Sequence, residues 1–243
     1  MNLLADGLQT LQQLLCQPNG PCPGATTNQR EIHSLLRAID RKRRMAEIHL
    51  CVLRGIDWDR IDGLGRRMTN PTTPDSLCVT LPEARLHLEH PMAAIDHVYL
   101  AFDGLIASLV NMTDTLARLL RLTYSLGLDE KRTTLLSVRE ICTSDSSLGI
   151  MLSDPQYTAW LKKVRDLRGR CQHRDIEEIL ISQSAPYGRR GQPVVDQSYS
   201  WRTPPQQTPI VFYASEAAEA ARVCILAVID AVYVCPSNPT QKP

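Results

Sequence analysis

Ile95-Asp96-His97-Val98-Tyr99-Leu100-Ala101-Phe102-Asp103-Gly104-Leu105-Ile106-Ala107-Ser108-Leu109-Val110-Asn111-Met112-Thr113-Asp114-Thr115-Leu116-Ala117-Arg118-Leu119 is the stretch that decides the fold class. Ile95, Val98, Phe102, Leu105, Leu109, Met112, Leu116 and Leu119 recur at alternating spacings of three and four. That period marks one face of an α-helix, and so long a seam packs against other helices at shallow angles, as in a bundle. The predicted helix spans about 91–126, opened after Pro91 and ended at Gly127.

The segments on either side repeat the helical period. Downstream, Asp129 is expected to cap a helix over 129–142. Asp154-Pro155 opens another, since Asp caps well and Pro fits the first helical position. Tyr157, Trp160, Val164, Leu167 and Cys171 form its expected buried stripe. Residues 184–210 are polar and Pro-rich and read as a long loop, after which Ser215 caps a last helix ending by Pro236. Upstream, Thr80 is expected to cap a short helix with Pro82 and Glu83 in its first turn. The Pro-rich stretch over 69–79 marks a boundary. Before it lie an amphipathic helix over 3–16 and a second helix opened by Thr26 and Gln29 at capping-box spacing, running to about Leu53. The expectation is an all-α, up-and-down bundle over 80–243 with a helical N-terminal extension over 1–79.

Composition agrees. Of 243 residues, 43% are apolar, enough for a full core, while 12 glycines and 5% aromatics leave little material for a β-sandwich or barrel. The 27 Lys and Arg against 26 Asp and Glu give a net charge of +1, which argues against a protein that coats nucleic acid over its whole surface. Met1-Asn2-Leu3-Leu4-Ala5-Asp6 has no basic start or long apolar run, and Val223–Cys235, the most apolar stretch, is short and interrupted by Asp230. A cytoplasmic protein without a membrane span is therefore expected. None of the eight cysteines has C-x-x-C spacing or a zinc-like His partner, so reduced thiols are expected, with Cys51, Cys142, Cys171 and Cys224 acting as small hydrophobes.

The chemistry concentrates in Trp160-Leu161-Lys162-Lys163-Val164-Arg165-Asp166-Leu167-Arg168-Gly169-Arg170-Cys171-Gln172-His173-Arg174-Asp175. Arg168 falls beside the buried stripe, at the border of core and solvent. His173 follows five residues later, about 140° around an ideal helix. Shared facing then requires a helix end, a distortion near Gly169 or a partner subunit. A His near neutrality can move a proton to or from a ribose 2′-hydroxyl, and a guanidinium can hold a phosphate and stabilise charge on its oxygens. Together they can cleave RNA without a metal. The alternative is structural: His173 capping a helix end, Arg168 pairing with Asp166 or Asp175.

Arg168 and His173, as Arg-x4-His late in a helix of an all-α bundle, resemble the motif of the HEPN superfamily. The flanking Arg165-Asp166-Leu167 and Arg174 are similar too, and the likeness covers roughly 81–235. It implies a four-helix core from helices 91–126, 129–142, 154–171 and 215–235, and a metal-independent endoribonuclease leaving 2′,3′-cyclic phosphate and 5′-hydroxyl ends. It further implies a homodimer with motifs facing across a cleft, and a toxin–antitoxin or antiphage setting with an antitoxin or defence-system partner. The residue after the motif Arg is usually Asn, Asp or His; here it is Gly169, which leaves open a non-catalytic RNA-binding or dimerisation module. A purely structural scaffold is the third reading.

RNA contacts are expected from Arg165, Arg170 and Arg174 on the motif segment, and from Arg189 and Arg190, which alternate with Tyr187, Tyr199, Trp201 and Arg202 in a pattern suited to stacking on single-stranded bases. Arg41-Lys42-Arg43-Arg44 is a further basic run. Asp96, His97 and Asp103, and His87 with His90, lack companion ligands, so no metal and no cofactor is expected.

Overall fold

The computed structural model describes residues 2–15, 28–55, 79–80, 85–86, 94–173, 180–181, 194–196 and 207–234. Among them are seven α-helices: α1 (Asn2–Leu15), α2 (Gln29–Gly55), α3 (Ala94–Thr123), α4 (Leu135–Ile141), α5 (Ser147–Ser153), α6 (Pro155–His173) and α7 (Ile210–Val234). Among the described residues strands are confined to two- and three-residue pairings: β1 (Val79–Thr80) with β2 (Arg85–Leu86), and an antiparallel sheet of β3 (Leu180–Ile181), β4 (Val194–Asp196) and β5 (Gln207–Pro209) in that order. Within the second sheet Leu180 is opposite Val195, and Val195 is opposite Thr208. The expected all-α bundle is what forms. No helix among the described residues is long and apolar enough to cross a membrane.

The seam on α3 buries as its spacing requires: Phe102, Leu105, Leu109, Met112, Leu116 and Leu119 are all inaccessible. The side chains of Ile95 and Val98 lie outside the described residues. Two compact units divide the chain. The first comprises Met1–Arg44, Ser108–Arg165 and Ala217–Pro243; the second comprises Met45–Ala107 and Asp166–Glu216.

The first unit gathers Leu8, Leu11 and Leu15 of α1 with Ile32, Leu36 and Ile39 of α2, all buried. A Cβ on Gly7 would stand 3.2 Å from Leu226 Cδ2 and 3.5 Å from Ile229 Cδ1, so α1 packs closely on α7. The N-terminal segment up to Arg44 belongs to the same compact unit as Ser108–Arg165, and the expected boundary stretch over 69–79 lies almost wholly outside the described residues. An amphipathic helix announces a buried face but not the partner that covers it. The second unit is built on Leu53, Phe102, Leu105, Ile106, Ile210 and Tyr213, with the Phe102 and Tyr213 rings tilted at 6.0 Å between centroids.

Several boundaries differ from the sequence expectation. Helix α3 stops at Thr123, before Gly127. The Leu126 amide donates to the Arg121 carbonyl at 2.9 Å and that of Ser125 to Leu122 at 3.3 Å, with Ser125 at φ 51°. This is a Schellman ending with Ser in the left-handed position that Gly usually takes. Gly127 meets nothing near a would-be Cβ and has no left-handed backbone. Asp129 caps a 3₁₀ turn over Glu130–Arg132, through its carboxylate to the amides of Lys131 and Arg132. The α-helix then starts afresh behind Thr134, whose hydroxyl accepts from the Ser137 amide while Ser137 Oγ accepts from the Thr134 amide. So the single helix expected over 129–142 is a 3₁₀ turn plus α4, and α5 follows unanticipated.

The short helix expected at Thr80 is instead the β1–β2 pairing; Val79 and Thr80 are both β-branched, which favours extended backbone. Part of the 184–210 loop is likewise extended, as β4 and β5. Helix α7 begins five residues before Ser215, because buried Ile210, Tyr213 and Ala214 extend its apolar face upstream. Ser215 sits inside the helix, its hydroxyl donating to the Val211 carbonyl at 2.7 Å. On α6 the buried stripe among the described side chains is Leu161, Val164 and Leu167, with Tyr157 and Trp160 half-buried at its edge; the side chain of Cys171 lies outside them.

Candidate functional site

Helix α6 starts where Asp154 accepts a hydrogen bond from the Gln156 amide at 2.8 Å and Pro155 supplies the first helical residue. It continues as regular α-helix through Gly169 to His173. A Cβ on Gly169 would meet nothing, so neither packing nor backbone geometry demands glycine there, and the helix runs on past it to His173. The two residues stand about 140° apart around the axis and about 7.5 Å along it. His173 is the last helical residue, where the backbone is freest to depart from that geometry.

Arg168 follows Leu167 and lies one turn after Val164, both buried. Its side chain is half-buried, with Nε shielded from solvent, and is engaged in an interaction within the protein. Arg165, one turn earlier, pairs with Asp114 of α3, and both side chains are partly buried. Lys162 and Lys163 are exposed. Arg170 and His173 are placed by the α6 backbone, and their side chains lie outside the described residues. Arg174, Arg189 and Arg190, with Tyr187, Tyr199, Trp201 and Arg202, also lie outside them, as do His87 and His90.

No grouping of three or more His, Cys, Asp or Glu suited to a metal occurs among the described residues. Asp103, which lacks companion metal ligands in the sequence, neighbours His49. The imidazole of His49, on α2, is laid against Gly104 of α3. A Cβ there would stand 2.5 Å from Nε2 and 2.9 Å from Nδ1, with Cε1 nearer still. Burial lowers the His49 pKa below its ordinary value, and the Asp103 carboxylate partly opposes that shift. Sequence reasoning passed over His49. Its one signal was Gly104, the sole glycine of α3, in a helix otherwise rich in good helix formers.

Three cysteines are described, all as free thiols. Cys224 is buried and its pKa is pushed up to about 12; Cys142 is half-buried and pushed up to about 11. Both are therefore neutral hydrophobes rather than nucleophiles. Cys51 is exposed, contrary to its expected apolar placement. The basic run on α2 is split by the helix. Arg43 turns inward, bonding Asp40 at 2.8 Å; Arg44 reaches the other oxygen of Asp40 at 3.0 Å; and Arg41 is exposed.

No family model, curated protein or solved structure matches the chain. The chemistry must therefore be read from the side chains alone. A guanidinium held at the edge of the core is already ordered and loses little freedom on gripping an oxyanion. A histidine ending the same helix is suited to proton transfer near neutrality. The half-buried His49, its ring nitrogens close to α3, is suited to a structural contact.

Proposed function

We propose that this chain is a HEPN-like helical protein that binds RNA and cleaves it without a metal. In this reading Arg168 grips the scissile phosphate and stabilises the charge that develops on its oxygens. His173 takes the 2′-hydroxyl proton and returns one to the leaving 5′-oxygen, giving 2′,3′-cyclic phosphate and 5′-hydroxyl ends. The observation that carries it is the position of Arg168, half-buried beside Leu167 on the helix that His173 ends. Because the two diverge around a regular helix, the site is completed across a two-fold axis, by a second copy's motif. Arg170, Arg174, Arg189 and Arg190 supply further phosphate contacts, while Arg165 is committed to Asp114. A cytoplasmic setting with an antitoxin or defence-system partner fits such an activity.

A non-catalytic RNA-binding or dimerisation module is the second reading, favoured by the internal engagement of Arg168. Incubation with a structured RNA in excess chelator separates the two. Cleavage by the wild type and its loss in His173→Ala supports the first; uncleaved but bound RNA supports the second.

A further inference from the structure

Helix α2 concentrates positive charge. Between Gln29 and Gly55 seven Lys and Arg stand against three Asp and Glu, an excess of four in a chain whose overall net charge is +1. The run Arg41–Arg44 suggests where this charge lies, but the helix disperses those four neighbours around its axis. What lines up is Arg30, Arg37 and Arg41, at intervals of seven and four. They occupy about 40° of arc and about 16 Å of axis. All three are exposed, diametrically opposite the buried Ile32, Leu36 and Ile39. None of the three makes an ion pair with a described residue. Arg44 extends the row by one turn, tethered to Asp40. Glu31 and Asp40 fall outside the arc, on its two flanks.

The fold does not require this row. Like charges at three- and four-residue spacing destabilise a helix by roughly 0.2–0.5 kcal/mol per pair. Acidic side chains, in excess over the rest of the chain, would relieve that repulsion if placed within the arc. An uncompensated row of guanidiniums along one helix face matches a ligand with regularly spaced negative charges, and guanidiniums bind phosphate diesters through paired hydrogen bonds.

We propose that the outer face of α2, through Arg30, Arg37 and Arg41 with Arg44 at its end, is a docking surface for the phosphate backbone of RNA. The choice of RNA over other polyanions rests on the proposed function of α6. The row lies within the first compact unit, and Arg168 and His173 within the second. It contacts phosphates alone, so it contributes affinity and salt dependence without base preference.

The test uses a labelled single-stranded RNA with 2′-O-methyl groups, which cannot be cleaved through its 2′-position. Binding to the full chain is followed by fluorescence anisotropy across a salt series. Three phosphate contacts contribute about −2 to the slope of log affinity against log salt, or about a 20-fold weakening between about 50 and 200 mM. The triple variant Arg30→Gln/Arg37→Gln/Arg41→Gln should lose that part of the slope and bind the RNA at least tenfold more weakly at the low-salt end. The corresponding triple Lys variant should keep the slope. Far-ultraviolet circular dichroism should show the Gln variant fully helical. Wild-type slope and affinity in the Gln variant would overturn the proposal and leave the cleavage reading of α6 intact. Loss of binding in the Gln variant, with no cleavage of unmodified RNA by the wild type, would uphold the docking surface and overturn the α6 reading. Binding of wild type to anionic lipid vesicles but not to RNA would overturn the proposal.

Discussion

Gly104→Ala should destabilise the protein even though it removes a glycine from the middle of a helix. On an isolated helix the change gains about 1 kcal/mol. Here the new methyl would enter the space of the His49 ring, at 2.5 Å from Nε2 and 2.9 Å from Nδ1. Separations below ordinary contact leave two responses: the ring swings away and loses its packing, or α2 and α3 move apart locally. Overpacking of this kind costs about 1–3 kcal/mol, so the net expectation is a loss of about 1 kcal/mol. Urea unfolding at pH 8, where His49 is neutral, measures it from the midpoint at constant slope. Two companions make the reasoning exposed to failure. Gly169→Ala, where the methyl meets nothing, should gain about 0.5–1 kcal/mol. In a His49→Ala background Gly104→Ala should turn stabilising, giving an interaction energy of about 2 kcal/mol in the double-mutant cycle. If Gly104→Ala in the wild type stabilises as much as Gly169→Ala, the close contact between α2 and α3 does not exist in solution.

Three other outcomes follow from individual contacts. The folded-state pKa of His49 is lowered, so the unfolded chain binds more protons as the solution is acidified. The contribution of His49 is complete above about pH 6.5 and is lost as pH falls from there through the folded-state value. Unfolding free energy should thus fall more steeply below pH 6.5 in the wild type than in His49→Gln, and parallel profiles would contradict this. Ser125→Gly should stabilise by about 1 kcal/mol, because Ser125 holds φ at 51° where a side chain is disfavoured; a loss of melting temperature would show the left-handed ending to be wrong. Asp114→Asn should cost about 1 kcal/mol by leaving the partly buried Arg165 without its anion, and no change in unfolding midpoint would show the pair to be fully screened.

What could be read from the sequence divides by the range of the interaction. The α3 seam and the Asp154-Pro155 opening of α6 were legible because period and caps are properties of neighbouring residues. The ending of α3 was not, since Ser125 carries no mark of a left-handed backbone and Gly127 drew the boundary three residues too far. The beginning of α7 was hidden because Ser215, a good cap by type, is outweighed by burial of Ile210 and Tyr213. The His49–Gly104 contact joins residues 55 positions apart, and pattern alone cannot pair them. On α2 the cluster Arg41–Arg44 is contiguous in the sequence, but adjacent helical residues diverge around the axis, and the exposed Arg30, Arg37 and Arg41 share a face only through spacings of seven and four. At the candidate site the sequence supplied Arg168 and His173 as neighbours on one helix. The structure adds that this helix is regular across Gly169 and that Arg165 is spoken for by Asp114.

The most direct measurement of the central claim is the single-turnover cleavage rate of an end-labelled RNA in excess chelator, with analysis of the product ends. Wild type, His173→Ala, Arg168→Ala and Arg168→Lys are compared after their folding has been checked by melting temperature. The wild type should cleave without metal, leaving 2′,3′-cyclic phosphate and 5′-hydroxyl ends. His173→Ala should lose about 10²-fold or more of that rate. Arg168→Lys should be nearly as impaired as Arg168→Ala, since Lys keeps the charge but loses the planar fork. Wild-type rates in His173→Ala, or no cleavage by any of the four proteins, would contradict the proposed reaction.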